Sequence, residues 1–473
     1  MTDLILLKHE LLLTALLLIF ILMKLGKDIS NSSFLKMSNA LLLINFIIGF
    51  FGNQHGQMFA SMFQTNELMA LQKNMLNGGL LLISLSSSRW LNNHIHLPEF
   101  FMLIVATLLG MFFMISSNNL LVFYLALELA TIPLAALCSF DLDKRQSSEA
   151  GMKMIMLSAF ASGILLMGIS LVYGVTGTLA FTEMSSLIAS DHLTVFALIL
   201  LFAGFAFKLS VVPFHLWTAD VYEGSPVAVT SYLSVISKGA MVFVFTSVLY
   251  QVFKPMQEVM YQLIYIGAVL SMTIGNLFAM RQQNIKRFLA FSSIAQMGFI
   301  LTGISGFSHT GAASATFFIL VYVFSNMAAF AVAGIVSSAI GRETIDDYKG
   351  FYHTNPFLSW VLAIALFSLA GIPPTAGFFG KFFLLSAGAA KGNYVLITIA
   401  ALNMIISLYY YLRIVRAMFM DKNETPIGSV NLSFNERAAI IICIAGILIS
   451  GIWNGPFHTI HHSVTEAFSI TPF

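Results

Sequence analysis

The chain has 473 residues, of which 58% are hydrophobic and 9% charged, and its mean hydropathy is +0.87. So little charge excludes a soluble domain of this length, and a formal net charge of +2 gives no argument for nucleic-acid binding. The composition is that of an all-α polytopic membrane protein held in the lipid bilayer. Cys138 and Cys443 both sit in apolar runs, and two cysteines can hold neither an iron–sulfur cluster nor a disulfide framework. No Gly-rich dinucleotide fingerprint follows a strand pattern, so the chain is expected to bind no flavin, nicotinamide or iron–sulfur group and no metal.

In chain order, hydrophobic segments fall near 4–23, 34–52, 75–90, 99–117, 118–140, 150–173, 193–217, 226–253, 258–280, 284–304, 311–339, 356–389, 393–419 and 435–454, about fourteen spans. The first is followed by Lys24, Lys27 and Asp28 without a small-x-small cleavage pattern, which reads as a retained span. Polar linkers lie at 53–74, 340–355 and 420–434. The chain divides into an N-terminal three-helix segment (1–98), two five-helix units (99–253 and 254–419), and a last helix with a C-terminal tail (420–473). Loops after odd-numbered spans hold fourteen lysines and arginines, Lys24, Lys27, Lys36 and Arg89 among them. Loops after even-numbered spans hold three, Lys73, Lys254 and Lys391. The excess of positive charge places the odd-to-even loops in the cytoplasm and both termini outside.

Several ionisable residues stand where lipid would not tolerate them. Glu128 lies well inside the fifth span. Lys208 follows fifteen mostly apolar residues from Leu193, about 22 Å of helix within a hydrocarbon layer roughly 30 Å thick. Lys238 lies about 18 Å beyond Pro226, and Lys381 stands in the middle of the twelfth segment. Lys153, near the start of the sixth span, either belongs to this set or snorkels to the cytoplasmic interface. Each such charge costs at least ~2.5–3.5 kcal/mol on insertion scales, so a buried ionisable residue points to function. An amine near a carboxylate can hold or yield a proton as the carboxylate moves. A swing of two pKa units, ~2.7 kcal/mol, offsets one charge moved against roughly 100 mV. The bland alternative is a static Glu128–Lys208 pair joining two helices, which leaves Lys238 and Lys381 unexplained.

Pro213 interrupts the seventh span, and Pro373 and Pro374 interrupt the twelfth. Unwound backbone at membrane depth persists only where it lines a cavity or is buried in protein. Interrupted spans five apart run in opposite directions, the arrangement of an inverted repeat with its site near the midplane. His215, beside the first break, reads as a helix-terminus residue at a hinge. His458, His461 and His462 read as a solvated or partner-facing tail.

The run Phe207-Lys208-Leu-Ser-Val-Val-Pro213-Phe-His215-Leu-Trp217-Thr-Ala-Asp220-Val-Tyr222-Glu-Gly224-Ser-Pro226, followed by Ser237-Lys238, resembles the antiporter-like membrane subunits of respiratory complex I, the bacterial proton-translocating NADH:quinone oxidoreductase. The Asp-Val-Tyr-x-Gly-x-Pro variant is similar to the subunit N branch. Lys286-Arg287-Phe-Leu-Ala-Phe-Ser292-Ser293-Ile, shared with the Mrp antiporters, and Gly371-Ile-Pro373 through Phe379-Gly380-Lys381-Phe are further matches. The resemblance runs from about Glu128 to Tyr411.

It implies two inverted five-helix bundles with discontinuous seventh and twelfth helices and a central hydrophilic axis. By motif position the proton path falls on Glu128, Lys153, Lys208, Lys238 and Lys381. The implied setting is the bacterial inner membrane. NADH, FMN, iron–sulfur clusters and quinone would be handled by partner subunits, among them the antiporter-like M and L types and the small K, J, A and H types. An Mrp-type cation/proton antiporter subunit is the alternative, and a scaffold with buried charges a third. Ala219 stands where the family usually has Pro, and Gln296 where it often has His. The long lateral helix of subunit L is not expected after the last span.

Overall fold

The computed structural model describes residues 2–26, 29–424 and 426–469. Lys27, one of the cations in the loop tally, and Asp28 lie outside them. A helix stands at each predicted segment. Among the described residues, ten helices are long and apolar enough to cross a membrane, and Pro356–Ala370 and Ala376–Ala389 are shorter apolar helices. Lys8–Leu25, which carries Lys8, Glu10 and Lys24, and the more polar Asn31–Ile48 and Glu67–Ser86 fall outside those ten. Helices begin where Asn, Asp or Ser precedes an apolar run. Asn66, Asn119, Asp191, Asn284 and Ser308 each accept a hydrogen bond from a backbone N–H two or three residues on, which satisfies donors the helix itself cannot.

Two five-helix sets follow one plan. The first comprises Leu97–Ile115, Leu120–Cys138, Arg145–Thr176, the broken pair His192–Leu209 and Leu216–Gly224, and the run from Val227 to Gln251. The second comprises Gln257–Ala279, Ile285–Ile304, His309–Ile340, the broken pair Pro356–Ala370 and Ala376–Ala389, and Tyr394–Phe419. The third helix has 32 residues in both sets. The first two helices meet backbone to backbone: a Cβ on Gly110 would lie 2.5 Å from the Ala130 nitrogen, and one on Gly275 would lie 2.7 Å from the Ala295 nitrogen. Small residues at these crossings let the helices approach without a partner side chain between them.

Loops after odd-numbered segments and loops after even-numbered segments gather around separate cavities. A cavity of 450 Å³ is lined by Arg89, Asp141, Glu223, Lys286, Glu343 and Glu436, from loops and helix ends after odd-numbered segments. On the other face a cavity of 570 Å³ is lined by His55, Asn118, Phe181 and Lys254, from loops after even-numbered ones.

The structure refines the expected boundaries and loops. The third span starts at Glu67, not near 75, and ends at Ser86. Its Gln72, Lys73, Asn74 and Asn77 lower its hydropathy, yet they are buried against protein rather than lipid; Asn45, for example, donates to Asn77 at 2.9 Å. Lys73 is therefore not a loop cation, and Lys36 likewise lies within Asn31–Ile48. The linker 53–74 contains an antiparallel hairpin, Gly56–Met58 paired with Phe63–Thr65. The C-terminal tail is a helix, Gly455–Ser469, whose Phe457 stacks on Phe383 at 4.0 Å.

Candidate functional site: a row of buried amines

The first break follows Leu209. Ser210 takes the left-handed conformation at φ 60°, and the Val212 N–H, with no helical partner, donates to Ser271 Oγ at 3.0 Å. Trp217 Nε1 reaches back to the Phe207 carbonyl at 3.0 Å, and Thr218 Oγ1 donates to Ser210 Oγ at 2.7 Å. The break is thus tied by side chains where proline removes a donor. His215 is the residue before the second half-helix but makes no cap bond with its side chain; its Nδ1 is buried without a partner.

Lys208 stands just before this break. Its Nζ donates to Thr131 Oγ1 at 2.7 Å. Glu128 lies one turn earlier on the same neighbouring helix, near enough to act on the ammonium through space. The static pair offered as the bland alternative is not formed: the amine is held by the hydroxyl, and Glu128 Oε1 is buried without a hydrogen-bond partner.

Lys238 follows a π-helical turn, Leu233–Ser237, and is 1% exposed. The wider turn is a helix irregularity of the kind found at functional sites. Its Nζ donates to Ser293 Oγ at 2.8 Å and lies 5.4 Å from the centre of the Tyr222 ring. Three residues on from Ser293, Gln296 donates to the Leu369 carbonyl at 3.1 Å and to the Tyr411 hydroxyl at 3.1 Å. Lys381 is fully buried and donates to that same Leu369 carbonyl at 2.7 Å and to Ala370 at 3.2 Å. These are the last carbonyls of Pro356–Ala370, left without helical partners at the Pro373-Pro374 break, and the negative end of the helix dipole favours an ammonium there. Gly371 at φ 88° makes the turn, and a Cβ on it would press within 3.2 Å of the Lys381 side chain.

The structure therefore joins Lys238 to Lys381 through one helix, and sets Lys208 beside Glu128 at the other end. Lys153 is elsewhere. With its side chain 38% exposed, it pairs with Glu149 and Asp220 at 2.7 Å each, and Asp220 and Glu223 both hold Arg287 at 2.8 Å. That network closes the face bearing the 450 Å³ cavity, where Lys286 bonds Glu343 at 3.0 Å. Sequence reasoning missed Ser293, Gln296 and Thr131 as partners of the lysines. The i, i+3 spacing of Ser293 and Gln296 places both on one helix face, but which lysine each would meet is a tertiary fact.

A family described as NADH:quinone oxidoreductase/Mrp antiporter, TM matches residues 117–407. NADH-quinone oxidoreductase subunit N of Phocaeicola vulgatus is 43% identical over 452 residues, 95% of this chain and 96% of the relative. A chain of the solved structure of respiratory complex I from Thermus thermophilus with bound Aureothin is 28% identical, with a TM-score of 0.82 over 94% of this chain and 97% of that one. The Mrp complex from Dietzia sp. DQ12-45-1b contains a chain of the same fold, with a TM-score of 0.82 at 20% identity over 98% and 96% of the two chains.

Proposed function

The chain belongs to the NADH:quinone oxidoreductase/Mrp antiporter membrane family, as a subunit N of NADH-quinone oxidoreductase, and on that premise we propose that it moves protons along its lysine row while electrons move elsewhere in the complex. It is a multi-pass membrane-arm subunit of that respiratory complex. In this reading the chain is a non-redox translocase subunit of the bacterial inner membrane with both termini periplasmic. FMN, iron–sulfur clusters, NADH and quinone belong to partner subunits, and antiporter-like M/L-type and small K/J/A/H-type subunits flank it. Identity to a subunit N over 95% of the chain favours this over an Mrp role, for which the likeness is one of fold.

Protons would be taken up at the 450 Å³ cavity, whose Lys286 also reaches the Ser225 carbonyl at 3.4 Å, beside the start of the helix that carries Lys238. Glu128 would set the charge of Lys208 from a distance. Movement of the hinge formed by Pro213 and His215 would bring that change to Lys238, to which His215 is electrostatically coupled. Ser293 and Gln296 would then orient transfer toward Lys381, where the Pro373-Pro374 break holds the amine. Lys153 would tune the mouth of the path through Asp220. The observation that carries the reading is the single helix whose Ser293 holds Lys238 and whose Gln296 holds the carbonyl bound by Lys381. Lys208→Met tests it. The variant complex is expected to assemble with its peripheral redox subunits and to lose proton translocation. A complex that fails to assemble, or one that pumps normally, contradicts it.

A further inference from the structure

Outside the lysine row, the N-terminal helices bury a second set of amine, hydroxyl and carboxylate. Lys73, 0% exposed, donates to Glu10 Oε1 at 2.5 Å and to Ser116 Oγ at 2.6 Å. Glu10 is 2% exposed, and its other oxygen, Oε2, is buried with no partner. The ammonium also faces the rings of Phe63 at 5.4 Å and Phe112 at 5.9 Å. A pair serving only to join helices needs neither feature. A buried carboxylate oxygen without a donor is costly, and an ammonium already paired gains little from a hydroxyl and two aromatic faces. Both make sense if the carboxylate is at times neutral: Oε2 is then the site of the added proton, and Ser116 with the two rings holds the ammonium left without its counter-ion.

The surroundings supply a route. Lys73 lies about 9 Å along its helix from Glu67, at the end bearing the 570 Å³ cavity. The Gly56–Thr65 hairpin separates the two: the Phe63 ring covers Lys73, while the next residue, Gln64, lines the cavity with Asn66 and Asn118, as expected of alternating strand faces. Other titratable groups nearby are Lys8, whose amine bonds Phe51 and Asn53, and His9, 3.3 Å from Asn53, on the helix of Glu10. His55 and Glu67, 3.9 Å apart, stand on the hairpin side. The Leu97–Ile115 helix contributes Phe112 and leads into Ser116.

We propose that Glu10, Lys73 and Ser116 form a second proton-binding unit, filled from the aqueous cavity behind the hairpin with Phe63 as its cover. On filling, a hydronium ion gives one proton to Glu10 Oε2. One O–H bond forms and one breaks, water leaves, and the unit passes from net zero to one positive charge. Release is the reverse. The unit is independent of the Lys208–Lys381 row.

The test is redox-triggered infrared difference spectroscopy on the assembled complex. A band in the protonated-carboxyl region that shifts in D₂O and is lost in Glu10→Gln is expected; a spectrum unchanged by Glu10→Gln overturns the proposal. Phe63→Ala leaves the ion pair intact and is expected to speed deuterium exchange of that band. An unaltered exchange rate overturns the route beneath the hairpin, and the variant remains informative if Glu10→Gln does not assemble.

Discussion

Glu128 and Ser293 occupy the same place in the two five-helix sets, each eight residues past the start of its set's second helix, Leu120 and Ile285. Three residues on, Thr131 and Gln296 again correspond, and each makes the polar contact of its set: Thr131 receives Lys208, and Gln296 reaches the carbonyl held by Lys381. The two sets differ by a charge. In the first, a carboxylate lies near the lysine without touching it. The second offers only neutral groups: its Ser293 hydroxyl meets Lys238, which comes from the last helix of the first set, and its Lys381 meets two carbonyls beside the Gln296 amide. A charge acts across several ångströms of low dielectric, whereas a neutral hydrogen bond acts only in contact. The first set is thus built to be biased from outside, and the second to hold a proton in defined positions and pass it on.

Giving the second set the missing charge breaks this contrast most severely. Ser293→Asp places a buried carboxylate against Lys238, and disrupting such a pair costs ~3–5 kcal/mol, more than the ~2.3 kcal/mol available per charge at 100 mV. Proton translocation in proteoliposomes is expected to slow by more than about tenfold, a factor that corresponds to ~1.4 kcal/mol. Removing the charge from the first set does less. Glu128→Gln deletes a through-space effect but leaves the Lys208–Thr131 bond, and coupled turnover is expected to fall by up to about tenfold with assembly retained. Gln296→Leu has the smallest effect on pumping, since Lys381 keeps both carbonyls. It removes one of the donors to the Leu369 carbonyl and the Tyr411 hydroxyl, which keep Lys381 and Ser292, a loss of ~0.5–1.5 kcal/mol per bond that earlier release of the subunit on heating in detergent would reveal.

The lysines and both breaks were legible because a charge or a proline in an apolar run violates a local rule, and such violations are visible one residue at a time. Lys208, Lys238 and Lys381 lie in or beside interrupted helices as read, although Lys208 precedes its break and Lys381 follows its own. What the sequence hid was pairing across the fold. Glu128 reads from the sequence as a carboxylate near Lys208, but nothing local reveals that Thr131 is what the amine bonds. For Lys153 the sequence leaves open the buried set or the interface; its helix starts at Arg145, which leaves it close to the surface in the Asp220–Arg287 network. Gln72, Lys73 and Asn74 together read as polar loop; Glu10 and Ser116, far away in sequence, hold Lys73 inside the fold instead.

The most direct test of lateral transfer along the Ser293–Gln296 helix is the number of protons translocated per electron in proteoliposomes bearing Lys238→Met. Methionine fills the same space without the charge and strands no buried counter-ion, since Lys238 bonds only a hydroxyl. A lower ratio with NADH:quinone electron transfer persisting in the uncoupled state is the result expected. A ratio equal to that of the unaltered complex would contradict it.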